Sequence, residues 1–282
     1  MQVSCGRIEA IQLRKNNEEA KMKNMSLGFI GGGRISRIIL KGFSRAGVLP
    51  TSIVVAEPIG DVFQKLSAAV PSARLVHGDN RVAAQQDLVF GALHPPVMPA
   101  VLEEIAPELR TDAVFVSLAP RLTIAKLSQQ LKGFTRIVRL LPNAPSIVNK
   151  GYNPIAFSGS LSRNDREALV KLLRTLGECP EVAEDKIEAY AILVAMGPAY
   201  FWFQWHQLLT LGVSFGLDKA ETETALMAMI SGATETLFKS DLTPQEVMDL
   251  LAVKPLIEDE PTICDIYTRR LDALFKKLKS QA

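Results

Sequence analysis

Three glycines follow the first apolar run of the chain and lead into a helical stretch. Residues 27–36 read LGFIGGGRIS, which is the spacing G-x-G-x-x-S. Glycine at the first place permits a tight turn, and glycine at the second lets backbone amides approach a pyrophosphate at the helix N-terminus. Glycine clusters also serve ordinary turns, but the strand before and the helix after favour a dinucleotide site. The predicted contact residues of this loop are Gly31, Gly33, Arg34, Ile35 and Ser36.

An acidic residue ends the next apolar run. Glu57 follows residues 53–56, at the place where a dinucleotide fold holds the carboxylate that binds the ribose hydroxyls. A charge-assisted hydrogen bond contributes about 1.5–3 kcal/mol, and the same carboxylate repels a 2′-phosphate. Glu57 therefore predicts NAD(H) in preference to NADP(H), which stays the second choice. The alternative interpretation is a surface glutamate on a loop.

Short apolar runs alternate with helix-length segments over the first half of the chain. Runs of this kind are typical of parallel strands buried on both faces, and their alternation with helices predicts a doubly wound, Rossmann-type α/β domain. We predict that this dinucleotide-binding domain covers residues 25–159. The predicted strands are residues 27–30, 53–56, 88–93, 113–118 and 136–140.

Helical patterns alone follow, and they predict an all-α domain over residues 160–282. Ser162 and Thr243 each stand before a helical stretch with an acidic residue three places later, as helix N-caps do, and Asp218 precedes a long helical stretch at residues 219–239. The last helix ends in Lys276, Lys277 and Lys279. Cations are favourable at a helix C-terminus, so these lysines predict a solvated helix end rather than a nucleic-acid patch.

Composition excludes several classes of protein. The 32 Lys and Arg against 30 Asp and Glu give a formal charge of +2, which argues against a nucleic-acid binder. The three cysteines lie far apart and the three histidines have no ligand spacing, so we expect a cytoplasmic protein without a metal. Residues 1–24 lack the apolar core of a secretory signal, and we assign this extension no function.

The uncharged stretch at residues 189–217 resembles a membrane segment in composition only. Gly197 and Pro198 interrupt it, and its glutamines and His206 are costly in lipid. We therefore predict a pair of buried helices and no membrane contact.

Four motifs, in matching order and spacing, resemble the pyrroline-5-carboxylate reductase family. They are FIGGGRIS at residues 29–36, Asn80 with DLVFGALHPP ending at Pro96, RLLPNAP at residues 139–145, and GPAY at residues 197–200 followed by Gly212-Val213 and Gly216-Leu217. The resemblance implies a reductase that delivers hydride from NAD(P)H to a cyclic imine carboxylate, as in proline biosynthesis. It also implies an N-terminal Rossmann domain and C-terminal helices that form a homodimer or a larger homo-oligomer.

The resemblance and the strand ends together select the remaining site residues. His94 follows a strand at its carboxyl end, where α/β folds bind ligands, and Asn143 lies between two prolines after the last strand. A loop histidine and a core tyrosine are the alternative interpretations of His94 and Tyr200. The predicted catalytic residues are His94, Asn143 and Tyr200; further cofactor contacts are Asn80, Ala92, Leu93, His94 and Pro95; substrate contacts are Met196, Tyr200 and His206.

The substrate half departs from the family pattern. Where the family has T-A-L-S-G-S, this chain has residues 191–196, AILVAM, and His206 stands where the family has glutamate. The S-P-G-G-T-T loop for the substrate carboxylate is replaced by residues 253–260, VKPLIEDE. Two hypotheses follow: an oxidoreductase for pyrroline-5-carboxylate or a related imine or carbonyl compound, or a nucleotide-binding paralogue that has lost catalysis and acts as a dimeric sensor or scaffold.

Overall fold

The computed structural model describes residues 25–94 and 96–280, so the extension at residues 1–24 and Pro95 lie outside the described part of the chain. Contacts divide the chain into two compact units. Described residues up to Ala195, together with the chain from Phe275, form the first unit, and Met196–Leu274 forms the second.

The first unit is built on a seven-stranded sheet with helices on its faces. The strands are β1 (Ser26–Ile30), β2 (Ser52–Ala56), β3 (Arg74–Val76), β4 (Leu88–Gly91), β5 (Val114–Ser117), β6 (Ile137–Leu140) and β8 (Ile155–Phe157), and β7 (Gly151–Tyr152) pairs separately with β9 (Gly177–Glu178). The helices are α1 (Arg34–Arg45), α2 (Gly60–Ala69), α3 (Asn80–Ala84), α4 (Met98–Ile105), α5 (Ile124–Gln130), α6 (Arg163–Leu173) and α7 (Ile187–Tyr190).

The strand order is β3-β2-β1-β4-β5-β6-β8. All neighbours are parallel except β6 and β8, which are antiparallel. The first six strands have the order of a dinucleotide-binding fold, in which ligands bind outside the carboxyl ends of the strands. The predicted Rossmann-type fold and all five predicted strands are therefore confirmed.

The first unit extends beyond the predicted boundary between residues 159 and 160. Leu169, Leu172 and Leu173 of α6 are buried in one apolar cluster with β1 residues such as Leu27 and Phe29. Ser162 caps α6 by accepting a hydrogen bond from the Asp165 amide, as predicted. The short strand β9 also shows that residues 160–282 are not helical throughout. Because the leucine face of α6 packs on the sheet, the first unit continues past residue 160. Its first segment ends at Ala195.

The second unit is helical and leaves most of its apolar side chains exposed. It contains α8 (Pro198–Ser214), α9 (Lys219–Lys239), α10 (Pro244–Asp249) and most of α11 (Glu260–Lys279). Thr243 forms the predicted cap and Asp218 forms a further one, each completed by a glutamate side chain that accepts from the cap backbone amide. In the stretch at residues 189–217, which was predicted to be buried, Ala191 and Ile192 are buried, whereas α8 contains no buried residue in the isolated chain. Among the described helices, none has both the length and the apolar composition that crossing a bilayer requires.

Candidate dinucleotide site and its neighbours

The glycine loop joins β1 to α1 in a geometry that only small residues permit. Gly31 has a φ of +97°, and a Cβ there would lie 2.5 Å from the carbonyl oxygen of Ala92. Gly33 is the N-cap of α1, and a Cβ there would meet no atom within 4 Å. Ser36 is fully buried and donates to the Gly31 carbonyl at 2.6 Å, which fastens the first helical turn to the loop. The loop therefore presents open backbone at Gly33.

The N-terminus of α1 has the character of an anion site. Within the described chain, no side chain caps this helix, and its first turn holds no acidic residue. Arg34 is exposed there, although a cation is unfavourable at the positive end of a helix dipole. Free amides, an open glycine and a nearby cation together suit a bound phosphate group. These features fit the pyrophosphate of a dinucleotide.

Glu57 lies at the carboxyl end of β2 and faces the glycine loop. Its side chain accepts hydrogen bonds from the Gly32 amide and the Ile59 amide, both at 2.8 Å. The residue is only 5% exposed, so the alternative of a surface glutamate is wrong. A carboxylate held beside the glycine loop is at the edge of the sheet where the fold places a ribose.

The residues after β4 complete this edge of the sheet. The Ala92 amide donates to the Ile30 carbonyl at 2.9 Å, which holds the chain after β4 against the end of β1. His94 is exposed, and its carbonyl accepts from the Val97 amide. Asn80, at the start of α3, donates from its side chain to Glu104 at 3.0 Å. Leu93 is half-buried. Their predicted contacts with the cofactor stay predictions.

Asn143 follows β6 and is held in one orientation. Its Oδ1 accepts from the Tyr152 amide at 3.1 Å, and its own amide donates to the Asn153 side chain. Because the oxygen is engaged, the Nδ2 group is the part of this amide left to donate to a ligand. Ser146 donates to the same Asn153 oxygen at 2.8 Å. Sequence reasoning missed Asn153 and Ser146, since a polar pair closing a turn resembles any loop.

Tyr152, whose backbone amide donates to Asn143, lies close to a second tyrosine, Tyr190. The rings of Tyr152 and Tyr190 are 6.3 Å apart between centroids. Burial raises the pKa of the Tyr152 phenol above its usual value, and the hydrogen-bonded Tyr190 adds to the rise. Tyr190 ends α7, directly before the π-helical turn Ala191–Ala195. Single π turns occur frequently at functional sites, and this one contains most of the segment in which the chain departs from the family pattern.

The three predicted substrate residues belong to the second unit. Tyr200 packs edge-on against Tyr267 at 5.9 Å between ring centroids. Partial burial raises the pKa of the Tyr200 phenol, and Tyr267 adds to the rise. His206 is exposed in the isolated chain. Met196 is half-buried. Their roles stay predictions.

Comparisons with known proteins agree with this organisation. Residues 26–121 match the family described as NADP oxidoreductase coenzyme F420-dependent, and residues 184–254 match the family described as pyrroline-5-carboxylate reductase dimerisation. The second match ends at Lys254, inside the replaced segment at residues 253–260.

The chain is similar to several pyrroline-5-carboxylate reductases. It is 28% identical over 229 residues to pyrroline-5-carboxylate reductase 2 of Bos taurus, covering 80% of this chain and 72% of that one. It is 28% identical over 226 residues to the Corynebacterium melassecola enzyme, covering 79% and 83%. The crystal structure of Plasmodium falciparum pyrroline carboxylate reductase with NADP bound has a TM-score of 0.78 and 22% identity, covering 92% of this chain and 98% of that one.

The solved structure supports the fold alone, while the sequence relatives reach across both halves of the chain. The helical half matches a dimerisation family, which confirms the predicted fold class of a Rossmann-type domain followed by a helical dimerisation domain. Two successive family matches and relatives along four fifths of the same chain lead to one conclusion: the protein is similar to pyrroline-5-carboxylate reductases in both of its halves.

Proposed function

We propose that the protein is an NAD(P)H-dependent reductase of a C=N bond, with pyrroline-5-carboxylate or a related cyclic imine as substrate. The observation that carries the proposal is the pairing of an open glycine loop with a buried carboxylate. Gly33 leaves free backbone at the start of α1, and Glu57 bonds the neighbouring Gly32 amide at 2.8 Å. The names of the sequence relatives support the reaction class.

The chain offers a binding residue for each part of the cofactor. The first amides of α1 would hold the pyrophosphate, and Glu57 would accept from the ribose hydroxyls. The Nδ2 group of Asn143 would donate to the nicotinamide ribose or to the substrate. When bound, the reduced nicotinamide supplies the hydride. The described residues are thus assigned to binding and orientation.

Reduction of a C=N bond also requires a proton at the imine nitrogen. The hydroxyl residues expected from the family pattern are replaced by Ala191, Val194 and Met196. We therefore assign the proton to solvent or to His94, which is exposed after β4. Tyr200 is the second candidate, because the raised pKa of its phenol keeps it protonated near neutral pH. A group that stays protonated can donate a hydrogen bond to the imine nitrogen.

The substrate half favours an imine other than the usual carboxylate. The segment at residues 253–260 carries Glu258, Asp259 and Glu260, all exposed. Negative charges at a site disfavour a bound carboxylate. We infer that related imines or carbonyl compounds are turned over better than pyrroline-5-carboxylate.

We propose NADH as the preferred cofactor. A 2′-phosphate would have to approach the Glu57 carboxylate, which is only 5% exposed and already fixed by two amides. Replacing those bonds or tolerating a second negative charge both cost free energy. Arg34, exposed on α1, is the cation that would offset this cost for NADPH.

We also propose a homodimer formed through the second unit. Phe203, Phe215 and Phe238 are 67%, 79% and 78% exposed in the isolated chain. Exposed apolar area of this extent marks an interaction surface, and an obligate interface resembles a core cut in half. The match to a dimerisation family supports a second copy as the partner. The absence of disulfides among the described cysteines is compatible with the cytoplasmic location that we propose.

The test uses the purified full chain in two steps. Calorimetry measures the affinities for NADH and NADPH, and NADH oxidation is then followed with pyrroline-5-carboxylate and with a panel of cyclic imines and ketones. Turnover of any imine supports the proposal. Tight binding without turnover of any compound contradicts it and favours the alternative, a nucleotide-binding protein without catalysis. If neither nucleotide binds, both functions are excluded.

A further inference from the structure

The chain leaves the first unit after Ala195 and returns to it at Phe275. Between these two points it forms the whole second unit. Both crossings lie close in sequence to a charged residue of the first unit: Glu188 stands in α7, before the exit, and Lys279 ends α11, after the return. The first unit thus contains the chain segments that precede and follow residues 196–274.

Glu188 is a buried carboxylate whose two oxygens have different partners. Its Oε1 lies 2.8 Å from Nη2 of Arg139, and the side chains of these two residues are 2% and 1% exposed. Its Oε2 lies 3.4 Å from Nζ of Lys279, which is 40% exposed. One oxygen therefore bonds deep in the core, while the other faces a partner at the surface.

The Arg139 side of this arrangement is rigid. Arg139 is in β6, and its guanidinium also donates to the Pro120 carbonyl and to Glu184. Glu184 accepts in turn from the Ile124 amide at the start of α5. A buried charge pair with further hydrogen bonds on each member is costly to break. The position of Glu188 is therefore fixed by the sheet.

The Lys279 side is the part that can open. Lys279 also donates to the Asp185 carbonyl, and the neighbouring Leu278 is 2% exposed, the one buried residue of α11. The remaining turns of the helix present exposed or half-buried side chains. Lys279 is exposed at the helix end, as predicted, and it also reaches a carboxylate 91 positions earlier in the chain, a contact that has no signal in the local sequence.

We propose that Glu188 is a two-sided anchor within the first unit, which joins Arg139 of β6 to Lys279 at the end of α11. Arg139 holds the α7 side of this anchor on the sheet. Lys279 and Leu278 form a latch that docks the returning end, and screening of its half-exposed ion pair by salt loosens it. The inference goes beyond the reductase function and does not depend on it.

Hydrogen exchange of the purified full chain tests the latch without substrate or cofactor. Lys279→Gln removes the charge, and Lys277→Gln is the matched control, because Lys277 is exposed on the same turn and pairs with no described residue. We expect exchange at the last two turns of α11 to rise about fivefold in Lys279→Gln at low salt and to stay unchanged in Lys277→Gln. In 1 M salt the wild type should approach the Lys279→Gln rate.

Two outcomes would overturn the proposal. Equal exchange in both lysine variants would mean that the last turn is held by Leu278 alone. A salt-independent difference would mean that the ion pair is not the latch. Glu188→Gln adds an independent arm, since it should raise exchange in α7 and in the end of α11 together. Loss of imine turnover would bear on the proposed function and leave these exchange results unaffected.

Discussion

The Oε2 atom of Glu57 lies 2.8 Å from the backbone nitrogen of Gly32, so the end of β2 is tied directly to the glycine loop. The other carboxylate oxygen accepts from the Ile59 amide at the same distance. Both oxygens are thus engaged in the free chain. Glu57, which we predict to select the cofactor, therefore also holds the glycine loop in place. Matched variants are needed to separate its structural role from its role in binding.

Glu57→Ala should lower both stability and cofactor selectivity, because it leaves the Gly32 and Ile59 amides without an acceptor. A buried unpaired donor costs about 1–3 kcal/mol, and Glu57→Gln, which keeps one acceptor oxygen, should lose about half as much as Glu57→Ala. We expect the preference for NADH over NADPH to fall about tenfold in both variants. Urea unfolding and calorimetry measure the two effects. Glu103→Ala, exposed on α4, is the control, and an unchanged NADH to NADPH ratio would remove Glu57 from cofactor selection.

The two outer glycines of the loop should respond oppositely to alanine. Gly31→Ala meets the Ala92 carbonyl oxygen at 2.5 Å and forces a positive φ on a side chain, so it should destabilise the fold by about 1–3 kcal/mol. Gly33→Ala meets nothing within 4 Å and should leave the melting temperature unchanged. Its methyl group would stand where a pyrophosphate approaches, so its NADH affinity should fall at least tenfold. Full NADH affinity in Gly33→Ala would exclude this loop as the phosphate site.

Local signals explain why much of the fold could be predicted. The five buried strands have apolar runs, and the caps at Ser162, Asp218 and Thr243 depend on residues only three places away. The three-residue strand β3 and the antiparallel β8 were missed. Both are short, and their pairing partners lie far along the chain.

In the candidate site, too, the features with local signals could be predicted and those that depend on distant partners could not. The glycine loop and Glu57 follow a local pattern, and the structure brings them together. The partners of Asn143 and Arg139 depend on tertiary contacts: Arg139 is buried because Glu188, 49 positions later, neutralises it. A charged residue inside a strand gives no sign of its partner, since the pairing is fixed only when the sheet and α7 pack.

The variant Asn143→Asp should separate two roles of Asn143: its hydrogen bonds within the loop and its proposed contact with a ligand. Aspartate can still accept from the Tyr152 amide, so the loop should keep this hydrogen bond, and stability should fall by about 1–3 kcal/mol because the new charge lies at a site only 7% exposed. It replaces the Nδ2 donor by an acceptor, so turnover or nucleotide affinity should fall about tenfold or more. Asn164→Asp, exposed on α6, is the control for the added charge. Thermal unfolding and the binding assay decide, and equal activity in both variants would remove Asn143 from the site.

Stability should fall in alkaline solution because of one buried thiol. Burial raises the pKa of Cys179 from 9.0 to about 12, and the side chain is 3% exposed. A group with a raised pKa binds its proton more tightly in the folded state. Its contribution to stability is therefore complete below the unfolded pKa, near 9, and is lost as the pH rises towards 12. The free energy of unfolding should decline by about 1.4 kcal/mol per pH unit across this window.

Other groups also titrate in this range, so the comparison with Cys179→Ala isolates the thiol. The alanine variant loses packing and should be less stable than the wild type at pH 8.5 by a fixed amount. That gap should narrow with rising pH, because only the wild type pays for ionising the buried sulfur. Cys264→Ala, which removes an exposed thiol, should keep a constant offset from the wild type. A gap between wild type and Cys179→Ala that is the same at pH 8.5 and pH 10.5 would show that the Cys179 thiolate is solvated in the folded protein.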